Sequence, residues 1–327
     1  MISKKEIIAD RTYFQEKAKG CLAGLAVGDA LGDLGRDQYY RQRYGIVTEV
    51  YDQAAGTDDT EFAILTARTL IDYQGEITLE RVSSSWKKYI LGQGGVHDRG
   101  GKPLYGAVAN LNRGLEPPFS GIDNVMNNDD GAAMRIAPIG IINPGEPQRA
   151  AEMAEIEAQI SHYGDGIWAA RAVAPSVAAA MADGTTEEII QVGLEQIPED
   201  SWLGRKMAEA MNLCRQHKDI LEVWDRLHTD FWTPSHSVSP EAIPQIYAIF
   251  HYSDTDFRQG LFWAANFGRD ADTIAAVVGA LCGAKHGLSC IPQTWIENIR
   301  HPAGVCLKFA SKEDILLLAE QLVELCY

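Results

Sequence analysis

The chain has 327 residues, 46% of them hydrophobic, enough to bury one large core or two modest ones. Its formal net charge of −16 repels phosphate backbones, which argues against nucleic-acid binding. The N-terminal MISKKEIIADRTYFQEKAKG mixes both charge signs and lacks an apolar h-region, and the longest apolar run, Ile274 to Ala284, is too short to span a bilayer. A cytoplasmic protein without a membrane partner is expected. The six cysteines (Cys21, Cys214, Cys282, Cys290, Cys306 and Cys326) show no CxxC spacing and sit mostly among apolar residues, a pattern of reduced, buried thiols.

In chain order, the first element is a glycine ladder. Residues 20–32 read GCLAGLAVGDALG, with Gly20, Gly24, Gly28 and Gly32 every four residues, which places them along one stripe of a helix. Each mid-helix glycine costs roughly 1 kcal/mol against alanine. A stripe of them therefore predicts close backbone approach to another helix. Residues 46–51 look strand-like but are too isolated to found a sheet. Apolar residues three and four apart predict helices over 61–73, 78–91, 150–161, 167–182, 186–196, 203–217, 220–227, 257–266, 273–287 and 312–326. Glu116-Pro117-Pro118 and Asn143-Pro144-Gly145 mark turns. Residues 231–244, with three prolines and three serines, read as a surface loop before another helix, and the aromatics Trp224, Phe231 and Trp232 as its anchors to the core. A second small-residue stripe, Ala276, Gly279, Ala280, Gly283, Ala284 and Gly287, offers a partner face for the glycine ladder. No linker divides the chain, so a single all-α domain over 1–327 is expected.

The motifs with chemical content are GTDDTEF at 56–62 and GRDADTI at 268–274. Each is a short Asp/Thr run before an apolar helical pattern, and N-capping accounts for either one alone. Together they carry more carboxylates than capping needs: Asp58 and Asp59 in one, Asp270 and Asp272 in the other. If 270–272 is extended, alternation sends Asp270 and Asp272 to one side. Four converging carboxylates require protonation or cations, and hard oxygen ligands select Mg²⁺ or Mn²⁺ over zinc.

These residues resemble the ADP-ribosylglycohydrolases, which include the dinitrogenase-reductase-activating glycohydrolases. The resemblance runs in order through KGCLAGLAVGDALG (19–32), GTDDTEFAILTARTL (56–70), NDDGAAMRIAPIG (128–140), SHYGDGIWAARAVA (161–174) and AANFGRDADTIAAVVGALCGAKHG (264–287). It implies a compact orthogonal all-α bundle and a centre of two Mg²⁺ or Mn²⁺ ions held by Thr57, Asp58, Asp59, Asp270, Asp272 and Thr273. It further implies a hydrolase of the N- or O-glycosidic bond at the anomeric carbon of a ribose, most simply in an ADP-ribosylated protein or small molecule. Asp58 or Asp59 would take the proton from an attacking water, and two cations would acidify that water and orient the ribose diol. Substrate contacts are implied for Gly100 and Gly101 in HDRGGKPLYGA (97–107), and for Asn128, Gly131, Met134 and His162. Asp129 and Asp130 read as a solvated turn, with extra acid/base groups as the alternative, and His286 as packed.

The sequence also departs from the family pattern. A glutamate expected shortly after GDALG is replaced by Asp33-Leu34-Gly35-Arg36-Asp37, with Asp33 or Asp37 as possible substitutes. A Gly-Gly pair becomes Gly268-Arg269, which brings a cation near the site and makes Arg269 a candidate substrate contact. Lys102 and Pro103 interrupt the glycine-rich loop. These departures keep open a smaller ribosylated or nucleoside-like substrate. A metal phosphohydrolase and a non-catalytic binding protein that retains the fold stand as further alternatives.

Overall fold

A computed structural model describes residues 1–36, 39, 42–43, 45–49 and 56–327. Among them every regular element is helical, and the strand-like segment at 46–51 forms no strand over 46–49, its last two residues lying outside the described set. The first helices are α1 (Lys4–Ala9), α2 (Arg11–Arg36), α3 (Asp58–Asp72), α4 (Leu79–Tyr89), α5 (Lys102–Asn112) and α6 (Phe119–Ile122). Next come α7 (Ala137–Ile142), α8 (Pro147–Ala158), α9 (Asp165–Met181), α10 (Thr186–Leu194), α11 (Trp202–Gln216) and α12 (Ile220–Thr229). The last are α13 (Ser239–Ser253), α14 (Phe257–Phe267), α15 (Ala271–His286), α16 (Gln293–Ile299) and α17 (Ile315–Glu324). None of the described helices is long and apolar enough to cross a membrane, and all six cysteines are free.

The axis of the molecule is the antiparallel pair α2 and α15. A Cβ on Gly20 would stand 2.7 Å from Gly287 Cα, on Gly24 2.8 Å from Gly279 C, on Gly28 2.8 Å from Ala276 N, and on Gly32 2.5 Å from Ala271 C. Real Cβ atoms essentially never approach within 3.0 Å, so only hydrogen fits at each of these four rungs. Gly279 and Gly283 return the contact on the other helix, where Cβ atoms would overlap Gly24 and Gly20. The two small-residue stripes therefore face each other. A consequence for the site is that the C-terminal end of α2 comes to lie beside the N-terminal end of α15.

The stretch 231–244 departs from its reading as a surface loop. From Ser239 onward it is already α13, and residues 239–250 are buried. Pro240 falls in the first turn, where a missing N–H costs nothing, so one of the prolines read as loop punctuation instead starts a helix. Of the aromatics before it, Phe231 is buried as an anchor should be, whereas Trp232, also read as an anchor, is exposed with Arg269 over its ring.

Candidate active site

The second acidic motif shows where capping ends. Asp270 occupies the N-cap position of α15, yet its side chain caps no backbone N–H. Gly268 and Arg269, both left-handed at φ +83° and +59°, turn the chain sharply from α14 and aim Asp270 at the interior. Asp270 and Asp272 then converge on one group through a cap-and-first-turn geometry rather than an extended strand. That group is the guanidinium of Arg36, whose Nη1 lies 3.0 Å from Asp270 Oδ1 and hydrogen-bonds both carboxylate oxygens of Asp272. Nε2 of His236 is 3.3 Å from Asp270 Oδ1.

The first motif is held from below by Asp29 of the glycine helix. Asp29 Oδ2 accepts from the backbone N–H of Thr57 (2.7 Å) and Thr60 (3.1 Å) and from the Thr60 hydroxyl (2.6 Å), while Oδ1 accepts from the Thr57 hydroxyl at 2.8 Å. This fully buried carboxylate caps α3 from a distance and fixes the motif to α2. Asp58 Oδ2 accepts the N–H of Gly101 at 3.0 Å, and Asp59 Oδ2 accepts the Thr57 hydroxyl at 3.1 Å. Glu61 points the other way, its carboxylate accepting the N–H groups of Val305 and Cys306 at 2.8 and 2.9 Å. Because Cys306 in turn accepts from His97 N at 2.9 Å, Glu61 indirectly braces the loop that carries Gly101.

A third wall comes from Asp129-Asp130-Gly131. Both aspartates are buried, at 3% and 2% exposure, which corrects their reading as a solvated turn. A bridge between Asp129 and Val238, with Asp130 N donating to Ser237 O at 2.8 Å, zips this loop to residues 235–239 and so delivers His236. His162 stands behind the wall: it is fully buried, with Nε2 2.6 Å from Asp129 Oδ1 and Nδ1 2.7 Å from the Ser161 hydroxyl. The neutral Nε2–H tautomer satisfies both partners, and burial pushes this imidazole below its ordinary value. Arg135, equally buried, anchors the same loop through Gly131 O (2.8 Å), Glu157 (2.8 Å) and Ser161 (3.0 Å).

Together these walls enclose a cavity of about 260 Å³. Asp58, Asp59, Asp270, Asp272, Thr273, Gly100, Gly101, Gly131 and Met134 line it, and Thr57 lies one residue behind. Asn128, His162 and Arg269 are not among the lining residues. Asn128 accepts the N–H of Ser239 through its carbonyl, and His162 positions Asp129. Arg269 turns into an ion pair with the fully buried Glu241 and donates to Thr233 O at 2.7 Å. Residues that the sequence reading passed over as site groups are Asp29, His236 and Arg99, and Asp130 stood there only as an alternative acid/base group. Asp29 stood visible inside GDALG, but nothing local tells a helical aspartate that it will cap another helix. Of the proposed glutamate substitutes, Asp33 pairs with Arg99, which also lines the cavity, and Asp37 lies outside the described residues.

The electrostatics follow from so many buried carboxyls. Burial, then the charges of Asp272 and Asp29, push Asp58 up to about 7. Burial raises Asp29 to about 7 as well, against the hydrogen bonds of Thr57 and Thr60. Asp59, Asp130 and Asp270 are driven well above the usual carboxylate range, first by burial and then by their neighbours' charges. Burial opposes the charge of Arg36, but Asp272 and Asp270 outweigh it and hold the guanidinium protonated.

Divalent cations suit this donor set. Asp59 Oδ1 and Asp130 Oδ2 are buried with no hydrogen-bond partner, a costly state that a cation would relieve. The donors are all hard oxygens, which fits Mg²⁺ or Mn²⁺. They do not form a closed cage: among the described residues no three His, Cys, Asp or Glu side chains stand grouped as a ready metal site, and Arg36 is inserted between two of the carboxylates.

Comparison with known proteins agrees with the motif order. The chain is 31% identical to an uncharacterized protein of Archaeoglobus fulgidus, over 88% of this chain and 92% of that protein. It is 25% identical to the ADP-ribosyl-[dinitrogen reductase] glycohydrolase of Rhodospirillum rubrum, over 87% and 90% of the two chains. A solved structure described as an ADP-ribosylglycohydrolase-related protein complex superposes with a TM-score of 0.67 at 22% identity, covering 97% of this chain and all of its counterpart, which shows the shared fold. The ADP-ribosylglycohydrolase family model matches residues 10–327, and the protein therefore belongs to the ADP-ribosylglycohydrolases, hydrolases of glycosidic bonds.

Proposed function

We propose that the protein, acting as one unit over residues 1–327, hydrolyses the bond between the anomeric carbon of a ribose and its substituent in an ADP-ribosylated substrate. Thr57, Asp58, Asp59, Asp270, Asp272 and Thr273 would hold Mg²⁺ or Mn²⁺, with Asp130 added to the set. The observation that carries this reading is a floor of buried carboxylates, two of their oxygens unpartnered, in one cavity with three cationic side chains: Arg36, Arg99 and Lys102. When bound, the cations supply Lewis acidity toward water and the ribose diol.

The chain's own residues do the rest. Asp58 accepts a proton from the attacking water, its carboxylate aimed by the Gly101 N–H. The water oxygen bonds to the anomeric carbon as the carbon–substituent bond breaks, the departing group takes a proton from solvent, and Asp58 returns to solvent the proton it accepted. Arg99, on the loop preceding α5, and Lys102, the first residue of α5, would face the anionic part of the substrate, which an acidic protein must attract locally. His162 and Arg135 hold the Asp129–Gly131 wall rigid while the substrate changes.

A smaller ribosylated metabolite is the second reading. It is favoured by the cavity volume, about 260 Å³, below the roughly 300–1,000 Å³ of most small-molecule sites. A panel of ADP-ribosyl-arginine, ADP-ribosyl-serine, free ADP-ribose derivatives and nucleosides, assayed with Mg²⁺, Mn²⁺ or EDTA, tests both. Full activity in EDTA removes the metal reading, turnover of nucleosides alone selects the smaller substrate, and release of phosphate makes the protein a phosphohydrolase.

A further inference from the structure

Arg36 closes the last turn of α2, where the helix dipole already favours a cation. The packing of α2 on α15 carries it to the start of α15, and its guanidinium spans Asp270 and Asp272. One positive charge, covalently attached to the chain, thus stands on that pair of carboxylates. Two other carboxylates of the cavity are in a different state. Asp59 Oδ1 and Asp130 Oδ2 are buried with no partner, and no side-chain cation is bonded to either of these oxygens among the described residues.

The asymmetry is a division of labour between a tethered cation and a free one. A divalent ion bound by both Asp270 and Asp272 would have to share their oxygens with Arg36 Nη1, at hydrogen-bond distance from a like charge. An ion bound at the orphaned oxygens of Asp59 and Asp130 shares neither of them with Arg36, although the Asp130 carboxyl itself adjoins Asp270. We infer that Arg36 takes the place of one cation, so that the native chain binds a single divalent ion, drawn to the unpartnered oxygens of Asp59 and Asp130. Removing the guanidinium opens a second position at Asp270–Asp272. This rests on the metal reading above, but changes the ion count from the two that the family resemblance implies.

The test is a titration of Mn²⁺ into the metal-free full-length protein, followed by calorimetry and by electron paramagnetic resonance. Wild type is expected to take up one Mn²⁺ per chain, with the spectrum of an isolated ion. Arg36→Gln is expected to take up two, with an exchange-coupled spectrum, and Arg36→Lys, which keeps the charge, to remain at one. Two ions in wild type, or a single ion in Arg36→Gln, would overturn the inference. No bound Mn²⁺ in wild type would overturn the metal reading itself, a result distinct from either. Should Arg36→Gln not fold, as checked by its melting transition, Arg36→Met carries the same expectation with a side chain of similar length.

Discussion

Gly28→Ala puts the α2–α15 contact to a test in which two effects of opposite sign compete. In an isolated helix the change gains roughly 1 kcal/mol of helix propensity. In the folded protein the new methyl would stand 2.8 Å from Ala276 N and closer still to the Ala275 carbonyl. Both obstacles are backbone, so no rotamer change relieves them, and the helices must part until the nearest atom is beyond about 3.0 Å. Overpacking of a tight core costs about 1–3 kcal/mol, and a backbone–backbone clash sits at the upper end or above it. The expected net loss is about 2 kcal/mol, a fall in Tm of roughly 3–5 °C for a chain of this size. Thermal and urea denaturation of the two proteins measure it directly. Gly24→Ala has the same sign, and the double variant costs less than the sum, because one separation of the helices serves both methyls. Because α2 carries Asp29 and Arg36, hydrolysis should fall together with stability. An unchanged or raised Tm would show that propensity acts alone and that the two backbones do not touch.

Asp272→Asn is expected to lower turnover by more than about 100-fold, since Asp272 fixes the guanidinium of Arg36 at the cavity, and to lower the metal-free melting temperature because one partner of a largely buried ion pair is lost, while circular dichroism still reports folded helices. Stability without metal should fall as pH rises from about 4 to about 7. With the Asp58 carboxyl raised from its ordinary 3.8 to about 7, the folded state binds more protons than the unfolded state across that window, so its contribution is present below the lower value and lost above the upper. The loss is on the order of 4 kcal/mol as a ceiling. Urea melts at pH 5 and pH 8 in EDTA should show it, Mn²⁺ should restore the loss at pH 8, and a flat profile in EDTA would count against the buried charge. Arg269→Ala should destabilise by about 3–5 kcal/mol, because it strands the fully buried Glu241, yet leave KM within about twofold. A large KM change with little loss of Tm would return Arg269 to the substrate site.

What the sequence revealed follows the range of the interactions involved. The two small-residue stripes were readable, since four-residue spacing is a local signal and backbone contact is its direct consequence. The convergence of GTDDTEF and GRDADTI was readable as surplus charge and from the family resemblance, and the glycine packing is what brings the motifs together. The burial of Asp130 and the placement of His236 escaped because the bridge that zips their loops together joins residues more than a hundred positions apart, and no local pattern reports such a pairing. Arg36 was visible as a departure from a family pattern. Its insertion between Asp270 and Asp272 depends on the helix register, which four glycine rungs set. The helix beginning at Ser239 was hidden by its own prolines, whose meaning reverses between a loop and a first turn.

The carboxylates themselves show where stability yields to function. Asp29, deepest in the fold, accepts four hydrogen bonds and is a fully satisfied buried charge that holds α3 to α2. Asp58 and Asp59 each keep a partner on Oδ2, but Asp59 Oδ1 has none. At the cavity wall Asp130 Oδ2 is likewise unpartnered, although neither residue is more than 2% exposed. A chain under selection for stability alone would replace such groups with asparagine or apolar residues, because an unmatched buried carboxylate costs more than it returns. Satisfaction therefore declines from scaffold to cavity, and the unpartnered oxygens lie where the proposed cation would bind.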